Sequence, residues 1–312
     1  MDLYAPVKKP ENETLPNLES QVSSDKELAT TSSCGSVSSA EPSIAAERFL
    51  VTGKGPLLKT TPTHGIARPS SGFTIESKID QDDRVLINAP EKHPWRMICS
   101  LEIKGSSGSG GIGTGWFIGP KTLVTAGHCV YHPSLGGWAQ EITVYPGRYD
   151  LEDRVFPYPK DASFTKPVMS RNFEAVSGWI STLNPDFDYA VIHLDQPVGD
   201  ETGWFSVAVK DDITLQGSLI NVSGYPGDKD YGRRQYFAAS KIGIVAPTRI
   251  FYEADTYAGQ SGAPAWILTD SGEHQVIGIH SYGVGGGFRL NSATRITAEV
   301  FNTINQWIKA DA

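Results

Sequence analysis

A chain of 312 residues, 39% hydrophobic and 20% charged, can bury one large core or two modest ones, and its 32 glycines and 20 prolines fit a turn-rich β protein. The formal net charge of −8 provides no basic face for neutralising phosphates, which argues against nucleic-acid binding and leaves solubility as its main consequence. No apolar run approaches the length of a membrane span, and Met1-Asp2-Leu3-Tyr4-Ala5-Pro6 lacks the charged-then-apolar pattern of an export signal. Cys34, Cys99 and Cys129 are too few for a disulfide scaffold and lack zinc-ligand spacing. One pair is available, with Cys99 to Cys129 favoured because Cys34 lies in a stretch that reads as unstructured.

From Met1 to Glu76 the sequence is rich in Ser, Thr, Pro and Glu with no sustained apolar period, and runs such as Thr30-Thr31-Ser32-Ser33 cannot bury enough surface to offset chain entropy. Residues 1–76 therefore read as a disordered or extended pro-segment or tail. After Asp82-Asp83-Arg84 the pattern changes to short β-type runs between turns. Met97 to Ile103 and Gly115 to Ile118 flank the loop Gly105 to Gly111 as a hairpin. Gly108 to Gly113 formally matches G-x-G-x-x-G, but Trp116-Phe117-Ile118 continues as a strand where a nucleotide fingerprint needs a helix, so that reading is rejected.

Further strands are expected at Leu123 to Thr125, Ile142 to Tyr145, Tyr189 to Leu194, Leu219 to Val222, Gln235 to Ala239, Ala265 to Leu268 and Val276 to His280. At this spacing, without helices between them, they predict an all-β fold of barrels or a sandwich. Val300, Phe301, Ile304, Trp307 and Ile308 recur at helical intervals, predicting one closing amphipathic helix whose stripe packs on the last barrel.

The chemistry centres on Gly259-Gln260-Ser261-Gly262, where the glycines allow a sharp turn that leaves the Ser261 hydroxyl uncovered. As a nucleophile, serine needs a base, an acid to orient that base, and N–H groups facing the developing oxyanion, which Gly259 and Ser261 can themselves provide. Alone, Gly-x-Ser-Gly is more often a surface turn; the rest of the chain reverses that order. His128, in Thr125-Ala126-Gly127-His128-Cys129, follows a strand and a small-residue turn, and imidazole is suited to accept a proton and return it. His132 would make an i, i+4 metal pair with it, but the glutamate of H-E-x-x-H is absent and Pro133 opposes a helix.

Asp186 and Asp188 stand where the buried run Tyr189 to Leu194 begins, and either can be held dry against the imidazole; on residues alone the choice stays open. The order His, Asp, Ser is that of chymotrypsin-like enzymes, whereas α/β-hydrolases run Ser, Asp, His and use G-x-S-x-G, whose second glycine is Ala263 here.

With these stretches in view, the chain resembles a chymotrypsin-fold serine protease, and more narrowly the bacterial glutamyl endopeptidase family. The matches run in order from Ser77: Thr114-Gly115-Trp116 with Gly119-Pro120-Lys121-Thr122, the His128 turn, Asp188-Tyr189-Ala190, Ser223 to Lys229, the Ser261 turn, and Thr294-Arg295-Ile296-Thr297. The resemblance implies two antiparallel six-stranded β-barrels with a C-terminal α-helix, residues 77–200 forming the barrel with His128 and Asp188 and residues 201–312 the barrel with Ser261. It implies Asp188 as the triad acid and Gly259 and Ser261 as the oxyanion hole. Thr256 and His280 match the hydroxyl and histidine that receive a substrate glutamate, and both can donate to a carboxylate, so cleavage after Glu (or Asp) is expected. Asp255, six residues before Ser261, occupies the position where trypsin-like enzymes keep the acid that attracts Lys or Arg, so basic specificity is the runner-up.

Activation is expected to differ from trypsin-type zymogens, because the aspartate that precedes their catalytic serine is Gln260 here. Ser77 to Arg84, after Glu76, resembles a mature start whose terminal amine joins the pocket for the acidic side chain; cutting at Glu76–Ser77 would create a cationic α-amine of pKa about 8. The family often pairs the cysteine after its catalytic histidine with one just before Thr-Gly-Trp, but Gly113 stands there, leaving Cys99 or a free thiol as the fate of Cys129. Asp150, Glu152 and Asp153 read as an acidic surface loop without the ligand spacing of a calcium site. The expected partners are protein or peptide substrates, with no cofactor, metal, nucleic acid or membrane, and the protein is expected to be a secreted monomer. A catalytically silent protease-like binding module is the competing reading, although such a module would have no need to keep the three triad residue types together.

Overall fold

The computed structural model describes residues 2–10, 79, 82–149, 167–283 and 290–311. Two sheets dominate. The first runs Pro6–Lys8, Asn172–Val176, Ala190–His193, Thr122–Thr125, Gly110–Phe117, Ile98–Lys104, Glu141–Pro146, Val168–Ser170, with every neighbouring pair antiparallel. Its two ends meet through one run of chain. Val168–Ser170 pairs with Glu141–Pro146, and directly after Arg171 Asn172–Val176 pairs with Ala190–His193, so six strand positions close a barrel. The second barrel closes directly. His274–Gly283, Pro264–Leu268, Leu219–Gly224, Tyr236–Val245, Arg249–Tyr252 and Asn291–Arg295 follow one another, and the last pairs back with the first.

Most of the expected runs form strands, but Asn172–Val176, Arg249–Tyr252 and the polar Asn291–Arg295, which the barrels need in order to close, lie outside them. Ala190–His193 is buried at all four positions and lies between two neighbours, which suits its unbroken apolar character. The hairpin forms as expected, from Ile98–Lys104 and Gly110–Phe117 around a single 3-10 turn. Aromatic rings join the barrels: Trp266 of the second lies edge or tilted against Trp95, Phe205 and Phe237 at centroid distances of 5.4 to 6.3 Å among the four rings. Short helices do interrupt the strands, at Gly127–Val130, Ser177–Thr182, Gly199–Thr202 and Asp212–Leu215, each too short to leave a periodic signal.

One expectation is sharpened and one corrected. Within the stretch expected to be disordered or extended, Pro6–Lys8 is extended, as a strand on the edge of the first sheet. Few apolar residues suffice there because the edge strand Asn172–Val176 supplies the ladder partners. The closing helix, Ala298–Ala310, forms with Thr297 as its cap and Val300, Ile304 and Trp307 buried, burial that contributes roughly 2 kcal/mol per side chain. It packs on the first barrel, not the last. Trp307 donates Nε1–H to Glu174 at 2.9 Å and lies 5.8 Å from the Tyr189 ring, and Thr122 and His193 both reach Asp311 just past the helix end. Period shows that a helix has an apolar stripe; only tertiary contacts show what covers it.

Candidate active site

Strand Thr122–Thr125 ends at Ala126, whose extended backbone leads into the single turn Gly127–Val130 that carries His128. Glycine at 127 is required by close packing: a Cβ there would lie 2.8 Å from the Trp179 ring and 2.9 Å from Asp188 Oδ1. Asp188 follows the 3-10 turn Pro185–Phe187, directly ahead of the buried strand Ala190–His193, and is itself fully buried. Its Oδ1 accepts the His128 backbone N–H at 2.8 Å and its Oδ2 lies 2.7 Å from His128 Nδ1. Both carboxylate oxygens therefore serve one residue, which orients the ring and keeps the proton on Nδ1. Asp186 makes no such contact; it sits in the preceding turn, its N–H bonded to Asn184.

The electrostatics follow from this pair. Burial pushes the Asp188 carboxyl up, but the His128 charge and hydrogen bond hold it below the ordinary carboxylate value. Burial pulls His128 down, and Asp188 more than offsets it, so the imidazole titrates well above its ordinary value. Two residues missed by sequence reasoning stand behind the pair. The Tyr282 hydroxyl hydrogen-bonds Asp188, and its ring lies 5.7 Å from that of His128. Arg249, buried, lies 5.4 Å from the Tyr282 ring centre and donates to Pro185 O at 2.6 Å. Tyr282 points here because the ladder shifts register between His280 and Tyr282, a bulge that no local pattern signals.

Ser261 lines the same cleft as His128, a cavity of about 300 Å³ whose walls include Ile112, Cys129 and Tyr282. The turn that holds it depends on glycine at two positive-φ positions, Gly259 at 105° and Gly262 at 88°. A Cβ at Gly259 would lie 2.5 Å from Tyr225 O, and one at Gly262 2.2 Å from Thr114 O, so the chain approaches its neighbours closer than any side chain allows. Thr114, on Gly110–Phe117 of the first barrel, is the clamp. Its N–H donates to Ser261 O at 2.8 Å, its hydroxyl donates to Gly259 O at 2.8 Å and accepts from Tyr225 N–H at 3.1 Å, and Thr125 Oγ1 donates to Thr114 O at 2.8 Å. Gly262 N–H adds a bond to His280 O at 2.7 Å. The barrel that carries His128 thereby grips the turn that carries Ser261.

The remaining residues named from sequence fall as follows. Thr256 is buried, and its hydroxyl has no hydrogen-bond partner among the described residues. His280 is buried on His274–Gly283 with Nδ1 2.6 Å from the Tyr252 hydroxyl. The Asp255 carboxylate, also buried, accepts N–H bonds from Ile79 and from Asp83, the latter at 3.0 Å. Gln260 is buried with Oε1 on the Tyr257 N–H at 3.1 Å, closing its own turn. His132 bonds Ser134 Oγ at 2.7 Å and caps the turn that follows it. Ser77, Cys34, Asp150, Glu152 and Asp153 lie outside the described residues.

Cys99 and Cys129 are free and buried, so the expected pair is not formed. The register explains this: Leu101, not Cys99, faces Gly113, and it is a Cβ at Gly113 that would lie 2.9 Å from Cys129 Sγ.

Comparison with known proteins matches residues 86–308 to the trypsin family. A glutamyl endopeptidase of Bacillus licheniformis is 34% identical over 277 residues, covering 86% of this chain and 82% of that protein. A protein of Bacillus subtilis named extracellular metalloprotease is 33% identical over 233 residues, covering 74% and 69% respectively. Among the described residues no three His, Cys, Asp or Glu side chains converge as metal ligands. A solved Glu endopeptidase structure superposes with a TM-score of 0.62 at 27% identity, covering 75% of this chain and all (100%) of that one. The protease Anisep from Arthrobacter nicotinovorans shares the fold, with a TM-score of 0.55 at 19% identity over 69% of this chain and 96% of its own.

Proposed function

The chain belongs to the trypsin family and is a serine protease of the chymotrypsin fold, and from that premise we propose that it is an endopeptidase cleaving after glutamate, made as a precursor that is cut between Glu76 and Ser77. In the reaction, Ser261 Oγ attacks the scissile carbonyl while His128 Nε2 takes its proton. Asp188 on Nδ1 keeps the ring in the tautomer that can do so and stabilises the imidazolium. The N–H groups of Gly259 and Ser261 receive the oxyanion, the leaving amine collects the proton from His128, and water hydrolyses the acyl-enzyme by the same route.

The observation that carries the preference for glutamate is the state of Asp255. A carboxylate that attracts Lys or Arg must face the substrate, and this one is engaged by the chain's own Ile79 and Asp83 amides. Thr256 beside it offers a buried hydroxyl, and the Tyr252 bond to Nδ1 orients His280 so that Nε2 is its atom for a carboxylate. Attachment of Ile79 at Asp255 also supports processing two residues upstream: the new Ser77 amine starts from a segment tied next to Thr256. Arg84 secures the same segment through two-point bonds to Asp228 at 2.7 and 2.9 Å. Export fits a relative named extracellular. The substrates are proteins or peptides.

Peptides differing only at the residue before the scissile bond test the preference. Cleavage after Glu, with Gln and Lys much slower, is expected; cleavage after Lys or Arg and not Glu overturns it. Sequencing the N-terminus of the mature protein tests the processing site, and a Glu76→Gln chain that matures at the same bond at the normal rate would sink self-processing.

A further inference from the structure

We propose that residues 2–10, which carry the strand Pro6–Lys8, stay bound to the first barrel after the segment behind them has been cut away, and that this segment braces the elements holding His128 and Asp188. The proposal rests on the precursor reading above, since it concerns what processing leaves behind.

The strand is built into the sheet. Pro6 faces Val176, Val7 faces Ala175 and Lys8 faces Glu174. Lys9 N–H donates to Phe173 O at 2.9 Å and Ser177 N–H to Ala5 O at 2.9 Å, which marks 5, 7 and 9 as the hydrogen-bonded rungs. Pro6 and Pro10 fall on the alternate positions, where a missing N–H costs the ladder nothing. Side chains hold the strand at both ends. Lys9 Nζ lies 5.0 Å from the Phe173 ring and donates to Gln140 O at 3.0 Å, while Ser177 Oγ donates to Asp2 O at 2.5 Å and Thr303 Oγ1 to Tyr4 O at 3.2 Å.

The contacts lead to the catalytic pair. Gly178 N–H donates to Leu3 O at 2.9 Å, at the start of the helix Ser177–Thr182 whose Trp179 packs 6.4 Å from the His128 ring. The Tyr4 ring meets Phe187, next to Asp188, edge-on at 5.2 Å. A strand added to a sheet edge in this way is the recognition mode of β-augmentation, in which backbone bonds hold and alternate side chains select. The sequence is suited to leaving it intact. Residues 2–10 contain no glutamate, whereas Glu11, Glu13, Glu19, Glu27, Glu41, Glu47 and Glu76 lie behind them, so a protease cutting after glutamate severs the connection without touching the strand.

The test compares native and denatured masses of protein matured from the full chain. The expected native mass exceeds that of the chain beginning at Ser77 by one peptide containing residues 2–10; a native mass equal to the large chain alone overturns the proposal. The last residue of the retained peptide reports the cleavage preference and its retention reports the docking, so the two readings fail separately. Val7→Pro removes an N–H from a bonded rung. It should release the peptide and lower kcat about tenfold, restored by adding the wild-type peptide. Loss of the peptide with kcat unchanged overturns the brace. If Val7→Pro fails to mature, Tyr4→Ala, which keeps the ladder and removes only the ring on Phe187, decides the same point through kcat.

Discussion

The first barrel contributes to the cleft by charge, the second by backbone shape. His128 and Asp188 are joined by two hydrogen bonds of 2.7 and 2.8 Å inside the first sheet's loops, and their pKa values move apart because each stabilises the other's ion. Ser261 instead owes its exposure to two glycines at φ 105° and 88° and to bonds made by Thr114 from across the interface. The contrast teaches that a charge device can be disabled without disturbing the fold, whereas a turn that only glycine can adopt cannot.

Changing one atom pair on each side sharpens the comparison. Asp188→Asn keeps shape and removes charge, so native circular dichroism with kcat lowered about 10⁴-fold is expected; a loss under tenfold would remove Asp188 from the mechanism. Gly262→Ala should lose activity and stability together. Its Cβ would meet Thr114 O at 2.2 Å, and the φ of 88° adds strain of about 1–3 kcal/mol, measurable by urea unfolding. Thr114→Val leaves Gly259 O and Tyr225 N–H without their shared hydroxyl, at a cost of about 1–3 kcal/mol. Its effect should fall on kcat more than KM, since Thr114 holds the turn and not the substrate.

Gly113→Cys probes the first barrel in the opposite direction. The predicted Cβ lies 2.9 Å from Cys129 Sγ, close to the about 3 Å that a disulfide requires, so both thiols should disappear on oxidation with a gain of about 3 kcal/mol. A thiol count in the unfolded, oxidised full-length protein above the two of Cys34 and Cys99 would contradict it. The smallest expected effect is in the pH profile. Because His128 must be neutral to accept the serine proton, kcat/KM should rise with pH through a midpoint above the ordinary histidine value. Stability runs the other way: a histidine with a raised folded-state pKa contributes fully below its unfolded value, and that contribution fades as pH rises through the folded one.

Much of the site was legible because its signals are local. Ser261 announced itself through Gly259 and Gly262, and His128 through the small-residue turn that follows a strand. The decision between Asp186 and Asp188 was not local, for both precede the same apolar run and only the fold turns one of them toward the imidazole. Tyr282 and Arg249 left no trace either, one arriving through a bulge and the other from a neighbouring strand.

The sequence by itself determined the β character, the hairpin around Gly105, the closing helix and the order of the reactive residues, since each depends on period, turn chemistry or side-chain type within a short window. Tertiary structure alone decided that the helix lies on the first barrel, that Pro6–Lys8 is a strand, that Asp255 binds the amides of Ile79 and Asp83, and that Thr114 clamps the serine turn. Those outcomes rest on partners far apart in the chain, such as Pro6 with Val176 and Thr114 with Gly259. A hydrogen bond or an apolar face specifies the kind of partner it needs; which one it meets is fixed only when the two barrels close and pack.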